Sequence, residues 1–123
     1  MATFMFIFRG GGIVVQPPPP PAEIGAHLAK WTAWIDGLTK AGHTQPHLPP
    51  LDNGGKTVRG SSRTVTDGPY AETKDLVSGI LVISAASLDA AVELARGCPI
   101  YEYDGSVEVR PFQVLPQAAM APR

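Results

Sequence analysis

The sequence predicts one α+β domain in which two helices cover one face of a mostly antiparallel sheet. The chain has 123 residues, about the size of a single compact domain. Hydrophobic residues make up 44% and charged residues 17%, a composition suited to a packed core. The predicted elements follow the order strand, helix, strand, added hairpin, strand, helix, strand. This is the split βαβ pattern, βαββαβ, of a ferredoxin-like domain. We assign residues 1–115 to this domain and residues 116–123 to a C-terminal tail.

The strands are predicted from short β-prone runs. Residues 4–8 and 80–83 are apolar at successive positions, which indicates strands that are buried on both faces. Residues 107–114 alternate as a half-buried final strand would, and residues 56–66 form two β-prone runs around a glycine, as in a hairpin. Residues 43–51 contain three prolines and suit only an irregular or edge strand. Because the helices cover one sheet face, we expect a homodimer whose sheets pack face to face.

The two helices are predicted from apolar periodicity and end signals. A first helix is expected over residues 22–41, and a shorter one is expected between Ser87, a good N-cap, and Gly97. On the first helix, His27 and Trp34 fall at the border of the apolar stripe, so His27 is expected where core meets surface. The stripe itself recurs every three or four residues: Ile24, Leu28, Trp31, Ile35 and Leu38.

Charge and composition exclude several classes of function. Ten Lys and Arg residues against eleven Asp and Glu give a net charge of -1, which lacks the basic excess that nucleic-acid binding needs. The apolar runs are far shorter than the roughly 20 residues that cross a bilayer. One cysteine, Cys98, cannot form an intrachain disulfide, so we expect a cytoplasmic protein. His43 and His47 lack an evident third ligand, so we expect no metal site and no cofactor.

Residues 67–75, which read Asp-Gly-Pro-Tyr-Ala-Glu-Thr-Lys-Asp, resemble the signature of the DGPF subfamily of YCII-related proteins. The resemblance covers most of the chain and departs from the family pattern at residues 17–21 and 43–50. Other parts that look similar are residues 54–59, 98–99 and 106–112 and the helix that carries His27 and Trp34.

This resemblance implies a ferredoxin-like fold assembled as a dimeric α/β barrel. A histidine and aspartate dyad has been proposed as the active site of YCII-related proteins, and one relative eliminates chloride from a ring-cleavage product. DGPF members are often encoded beside alternative sigma factors. His27 matches the helix histidine of the family, whereas Cys98 stands where the family has an aspartate before a proline.

His27 is the candidate acid–base group, because an imidazole titrates near neutral pH and a border position combines water access with partial burial. Asp67 is the candidate replacement carboxylate if its loop folds back within hydrogen-bond reach of His27. Trp34, Tyr70 and Glu72 are the candidate substrate-binding residues. The structural alternatives are a histidine packed on Trp34 and an ordinary Asp-Gly-Pro turn.

Two functions stay open at this point. One is a cofactor-independent enzyme that acts on a small molecule and uses His27, with Asp67, in an isomerase- or lyase-type proton transfer. The alternative is a non-catalytic protein that binds a small molecule or regulates sigma-factor-dependent transcription. A substitution of His27 separates them, because it abolishes turnover only in the first case.

Overall fold

The computed structural model describes residues 1–12, 17–45, 49–52, 54–68 and 75–115. Its elements, in chain order, are β1 (Ala2–Arg9), α1 (Pro21–Lys40), β2 (Lys56–Arg59), β3 (Thr64–Asp67), β4 (Val77–Ala85), α2 (Leu88–Arg96), a 3-10 helix (Pro99–Tyr103) and β5 (Ser106–Pro111). The predicted α+β class is therefore confirmed, and the order of elements is compatible with a ferredoxin-like fold. The predicted tail, residues 116–123, lies outside the described residues.

A three-stranded antiparallel sheet with the order β4-β1-β5 forms the centre of the fold. Strand β1 is central, and its Phe6 lies opposite Leu81 of β4 and Val109 of β5. The predicted hairpin is present as strands β2 and β3, which form a separate two-stranded sheet. Strand β5 ends at Pro111, and Val114 is 98% exposed, so the expected continuation of this strand to residue 114 was wrong.

Residues 43–45 and 49–51 lie along the outer edge of β4, where a fourth strand would lie. Ser84 donates its N–H to the His43 carbonyl at 2.7 Å, and Leu51 donates its N–H to the Ser78 carbonyl at 2.9 Å. The described residues of this segment nevertheless form no regular strand. Prolines 49 and 50 have no N–H to donate to a ladder, which explains why the pairing is intermittent.

The core lies between this sheet and the two helices. Alternate residues of β1, namely Phe4, Phe6 and Phe8, point to the helices and are at most 6% exposed. The Trp34 ring stacks on Phe6 at 6.3 Å, and Trp31 meets Phe8 edge to face at 5.3 Å. Helix α2 begins as predicted, because the Ser87 hydroxyl accepts the Ala90 N–H at 3.1 Å.

The sheet face that points away from the helices carries apolar residues at its centre, and no other element of the described chain covers them. Met5 lies beside Val82, and Ile7 lies beside Ile80. Val82 is 49% exposed and Ile80 is 36% exposed. We call these four residues the open sheet face. The expectation that β4 is buried on both faces is thus not met by a single chain.

Helix α1 faces the sheet through most of the predicted stripe, but Leu28 is left out of it and His27 is included. His27 is 4% exposed and Leu38 is 5% exposed, whereas Leu28 is 54% exposed. His27 therefore lies inside rather than at the border of the buried stripe. The physical reason is that the large rings of Trp31 and Trp34 pack on the β1 phenylalanines and rotate the helix accordingly.

Candidate functional site

A cavity of about 490 Å³ lies between α1, the end of β1 and the middle of β4. Most of its wall is apolar or backbone, and His27 is the sole ionisable side chain among the described residues that line it. The lining residues are Phe8, Gly10, Gly11, Gly12, His27, Leu28, Trp31, Thr32, Ile35, Pro49, Pro50, Ser78, Gly79, Ile80, Leu81 and Ile100.

Helix α1 and the 3-10 helix bring a histidine and a carboxylate together at this cavity. His27 Nδ1 lies 2.6 Å from Glu102 Oε1, across 75 residues of sequence. The second carboxylate oxygen of Glu102 accepts a hydrogen bond from Lys30 Nζ, also at 2.6 Å. The Tyr103 ring packs edge-on against the imidazole at 4.7 Å. The ring of His27 is therefore held from two directions.

The second imidazole nitrogen of His27 accepts a hydrogen bond from a tryptophan. Trp31 Nε1–H donates to His27 Nε2 at 3.1 Å, one helical turn along α1. An indole nitrogen can only donate, so Nε2 must accept. The proton of the neutral ring then lies on Nδ1 and points to Glu102. His27 thus has the tautomer and the carboxylate contact that a general base needs, with its basic lone pair directed at Trp31.

The hydrogen bonds of Glu102 keep it ionised. The hydrogen bond from Lys30, followed by that from His27, lowers the pKa of the Glu102 carboxyl. A carboxylate in that state stabilises a positive charge on the neighbouring imidazole. Burial raises the pKa of Tyr103, with a smaller contribution from the charge of Glu23, so its phenol stays protonated.

The family model of the YCII-related domain matches residues 13–114 of this chain. The chain belongs to the YCII-related family. An uncharacterised protein of Rhizobium meliloti (strain 1021) is 48% identical over 49 residues, covering 39% of this chain and 40% of that protein. The matched region thus spans less than half of the curated relative.

Among solved structures, this chain is similar to 5-chloro-2-hydroxyhydroquinone dehydrochlorinase of Burkholderia phenoliruptrix AC1100. The identity is 16%, the TM-score is 0.45, and the match covers 90% of this chain and 93% of the other. Assignment to the DGPF subfamily stays a prediction.

Two of the predicted site residues of this YCII-related chain, Asp67 and Trp34, do not line the cavity with His27. Asp67 is at the end of β3, its side chain is 83% exposed, and it accepts a hydrogen bond from Lys56 Nζ at 2.6 Å. The structure brings Glu102, and not Asp67, to His27, so a catalytic role for Asp67 stays a prediction. Trp34 packs in the core and donates its N–H to the Leu94 carbonyl at 3.2 Å. It is Trp31 that lines the cavity.

Tyr70 and Glu72, the other two candidate substrate-binding residues, lie outside the described residues. Glu102 is the functional residue that sequence reasoning missed. Pro99, a favourable first residue of a helix, and the Asp104–Gly105 turn both bound the short helix that carries it. Those signals were available in the sequence, but nothing in it shows that Glu102 points to His27.

The remaining histidines and the cysteine do not extend the site within the described residues. His43 Nδ1 contacts the Ser84 carbonyl at 2.7 Å, and His47 lies outside the described residues. Within the described ranges, no three His, Cys, Asp or Glu side chains are grouped so that they could hold a metal ion. Burial raises the pKa of Cys98 to about 12. In the same ranges, no helix has the length and apolar character needed to traverse a membrane.

Proposed function

We propose that this YCII-related protein is a small-molecule enzyme in which His27 moves a proton in an isomerase- or lyase-type reaction. One observation carries the proposal: His27 bonds to Glu102 at 2.6 Å through Nδ1 and lines an otherwise apolar cavity. A buried imidazole oriented by a carboxylate is the arrangement that general acid–base catalysis requires.

The roles follow from the contacts. Nε2 of His27 is the atom that takes or returns a proton, because Nδ1 is engaged with Glu102. Glu102 holds the ring in the required tautomer and stabilises the imidazolium that forms. Lys30 binds the other carboxylate oxygen and keeps Glu102 in position and ionised. Apolar groups make up most of the wall, and charges interact more strongly beside such groups than in bulk water.

The test is solvent exchange, because a reversible proton transfer at carbon introduces deuterium from D₂O. A panel of small uncharged carbonyl and hydroxyl compounds would be incubated with the protein and read by mass spectrometry. We expect His27→Gln to lower the exchange rate by about 10²- to 10⁴-fold. The glutamine amide can still donate to Glu102 and accept from Trp31, so the fold is retained while the base is lost.

Thr32→Val is the matched control, because Thr32 lines the same cavity and its hydroxyl is already bonded to the Leu28 carbonyl at 3.2 Å. This variant should keep the wild-type rate. Asp67→Asn decides whether Asp67 takes part, and the exposure of this side chain and its pairing with Lys56 lead us to expect little change. Equal exchange in wild type and His27→Gln, or no exchange with any compound, would contradict the proposal.

The contact between Trp31 and His27 supports a second candidate function. Because Trp31 Nε1–H already satisfies Nε2 at 3.1 Å, the imidazole is also compatible with a purely structural role. The cavity would then bind a small molecule without turning it over, as a sensor or regulator does. Saturable binding together with no exchange in wild type would identify this case. A link to sigma-factor-dependent transcription stays a prediction.

The protein is further proposed to act as a homodimer joined through its open sheet face. The exposed positions Ile80 and Val82 and their neighbours Met5 and Ile7 form a contiguous apolar surface, and a second copy would cover it. Arg9 and Glu108, paired at 3.2 Å, lie at its side on the same face. Sedimentation of the purified protein tests this proposal.

A further inference from the structure

We infer that the cavity takes an uncharged hydroxyl compound, whose O–H group inserts between Trp31 Nε1–H and His27 Nε2. This inference deepens the proposed function and rests on it. It names the chemical class of the ligand and gives Trp31 a role in positioning it.

The polarity of the two nitrogens selects a hydroxyl group. Trp31 presents a donor and His27 Nε2 presents a lone pair, and these two atoms now satisfy each other at 3.1 Å. A group that separates them must accept from Trp31 and donate to His27 at once, or one buried polar atom loses its partner. A hydroxyl oxygen does both. An ether or a carboxylate can only accept, so it leaves the Nε2 lone pair without a donor.

The charges around the cavity exclude an anion. The described lining residues include no lysine and no arginine. The nearest cation to the dyad, Lys30, is engaged with Glu102 Oε2 at 2.6 Å. A ligand carboxylate would therefore be buried against apolar groups without a counter-ion, and that is unfavourable. The carboxylate of Glu102, directly behind His27, adds repulsion.

Trp31 has room to release Nε2. Two consecutive hydrogen bonds need about 5 Å between Nε1 and Nε2, so the indole must shift by about 2 Å. Its ring contacts Phe8 edge to face at 5.3 Å and borders the cavity, which leaves open space beside the indole. Because Trp31 is only partly buried, this movement does not require the helix to unfold.

The same geometry gives a balanced proton transfer. The ligand O–H bond breaks, its proton forms a bond to His27 Nε2, and the electron pair stays on the ligand oxygen. Trp31 Nε1–H then donates to that oxygen and stabilises its negative charge. The Nδ1 proton remains between His27 and Glu102, and the imidazolium is paired with the carboxylate. Where the hydroxyl belongs to an enol, the oxygen electron pair then forms the C=O bond and the C=C π pair takes the Nε2 proton at the adjacent carbon. This returns His27 to its neutral form and completes an enol-to-carbonyl isomerisation.

Three probes with one hydrocarbon body test the class: cyclohexylmethanol, its methyl ether, and cyclohexanecarboxylate. They would be titrated into the full-length protein at about pH 8 and followed by ¹H–¹⁵N NMR of the indole N–H groups. The chain has two tryptophans, and Trp31→Phe assigns their signals. Trp34 is the internal control, because its N–H donates to the Leu94 carbonyl outside the cavity wall.

We expect the alcohol to bind at least tenfold more tightly than the ether and the carboxylate. It should shift the Trp31 N–H signal and the His27 Nε2 resonance and leave the Trp34 signal unchanged. Equal or tighter binding of the carboxylate overturns the inference. So does alcohol binding that leaves the Trp31 signal in place, and so does the absence of binding by all three probes.

The outcomes also separate this inference from the proposed function. If the carboxylate binds best while His27-dependent deuterium exchange persists, the ligand class is wrong and the proton transfer stands. If the alcohol binds with the Trp31 signature but no compound exchanges, the ligand class stands and the catalytic proposal fails.

Discussion

Replacement of Gly105 by alanine tests how closely the cavity wall is packed. A Cβ added at Gly105 would lie 2.9 Å from both Cα and N of Gly11 and would overlap the Ile100 side chain. Ile100 is 1% exposed, and both Gly11 and Ile100 line the cavity. Because two of the opposing atoms belong to the backbone, the overlap cannot be relieved by a side-chain rotation alone.

The overlap determines how much free energy of unfolding the Gly105→Ala variant is expected to lose. Overpacking a core by one carbon usually destabilises by about 1–3 kcal/mol. We expect the upper part of that range, about 2–3 kcal/mol, because the Gly11 backbone has to move. For a chain of this length that loss lowers Tm by roughly 8–12 °C.

Gly37→Ala is the matched control. It introduces the same methyl group in the last turn of α1, where no heavy atom lies within 4 Å of the added Cβ. Alanine favours the helix over glycine, so this variant should gain about 0.5–1 kcal/mol. The two identical substitutions are thus expected to change stability in opposite directions.

The assay is urea unfolding followed by far-UV circular dichroism at one protein concentration, so that any association affects all variants equally. In a third variant, Ile100→Ala is added to Gly105→Ala. The double variant should lose less stability than the sum of the two single changes, because the removed side chain frees part of the space. A Gly105→Ala variant within about 0.5 kcal/mol of wild type would refute the packing argument, and so would simple additivity of the double variant.

Three further expectations concern charge, assembly and the thiol. Because the hydrogen bond from Lys30 lowers the pKa of Glu102, that carboxylate stabilises the fold at neutral pH, and this contribution is lost as the pH falls through the lowered pKa. Glu102→Gln should therefore flatten the fall in Tm between about pH 7 and pH 3, measured by differential scanning fluorimetry. Val82→Lys should turn the proposed dimer into a folded monomer in sedimentation velocity, whereas Val58→Lys on the exposed hairpin should not; an unchanged dimer would contradict the interface. With a pKa of about 12 against the ordinary thiol value of 9.0, Cys98 should have about 1,000-fold less thiolate at neutral pH and react with iodoacetamide only after unfolding. Rapid labelling of the native protein would contradict its burial.

Sequence periodicity located most elements of the fold. The apolar runs around Phe6 and Leu81 became the paired strands β1 and β4, and the Ser87 cap marks the start of α2. Periodicity predicted the buried side of α1 except at its border, where Leu28 is exposed and His27 is buried, because that detail depends on how the tryptophans of α1 pack on Phe6 and Phe8. It did not predict the 3-10 helix Pro99–Tyr103, whose five residues are too few for a periodic signal.

Of the two residues that form the candidate dyad, only His27 could be predicted from the sequence. His27 could be selected from the sequence because its residue type, its helix and the family resemblance agree. Its partner could not, because Glu102 follows it by 75 residues and reaches it only after α1 and the 3-10 helix pack together. Asp67, chosen for its place in the signature loop, pairs instead with Lys56 across the hairpin.

By itself, the sequence determined the α+β class, the positions of the helices and main strands, and the presence of a histidine on α1. These properties depend on local patterns of apolar residues, caps and turns, which a short window of residues contains. Only the tertiary structure decided which carboxylate orients His27 and which of its ring nitrogens keeps a lone pair. It also decided that this lone pair accepts a hydrogen bond from Trp31. Those facts depend on distances between elements far apart in the chain, and no local pattern carries them.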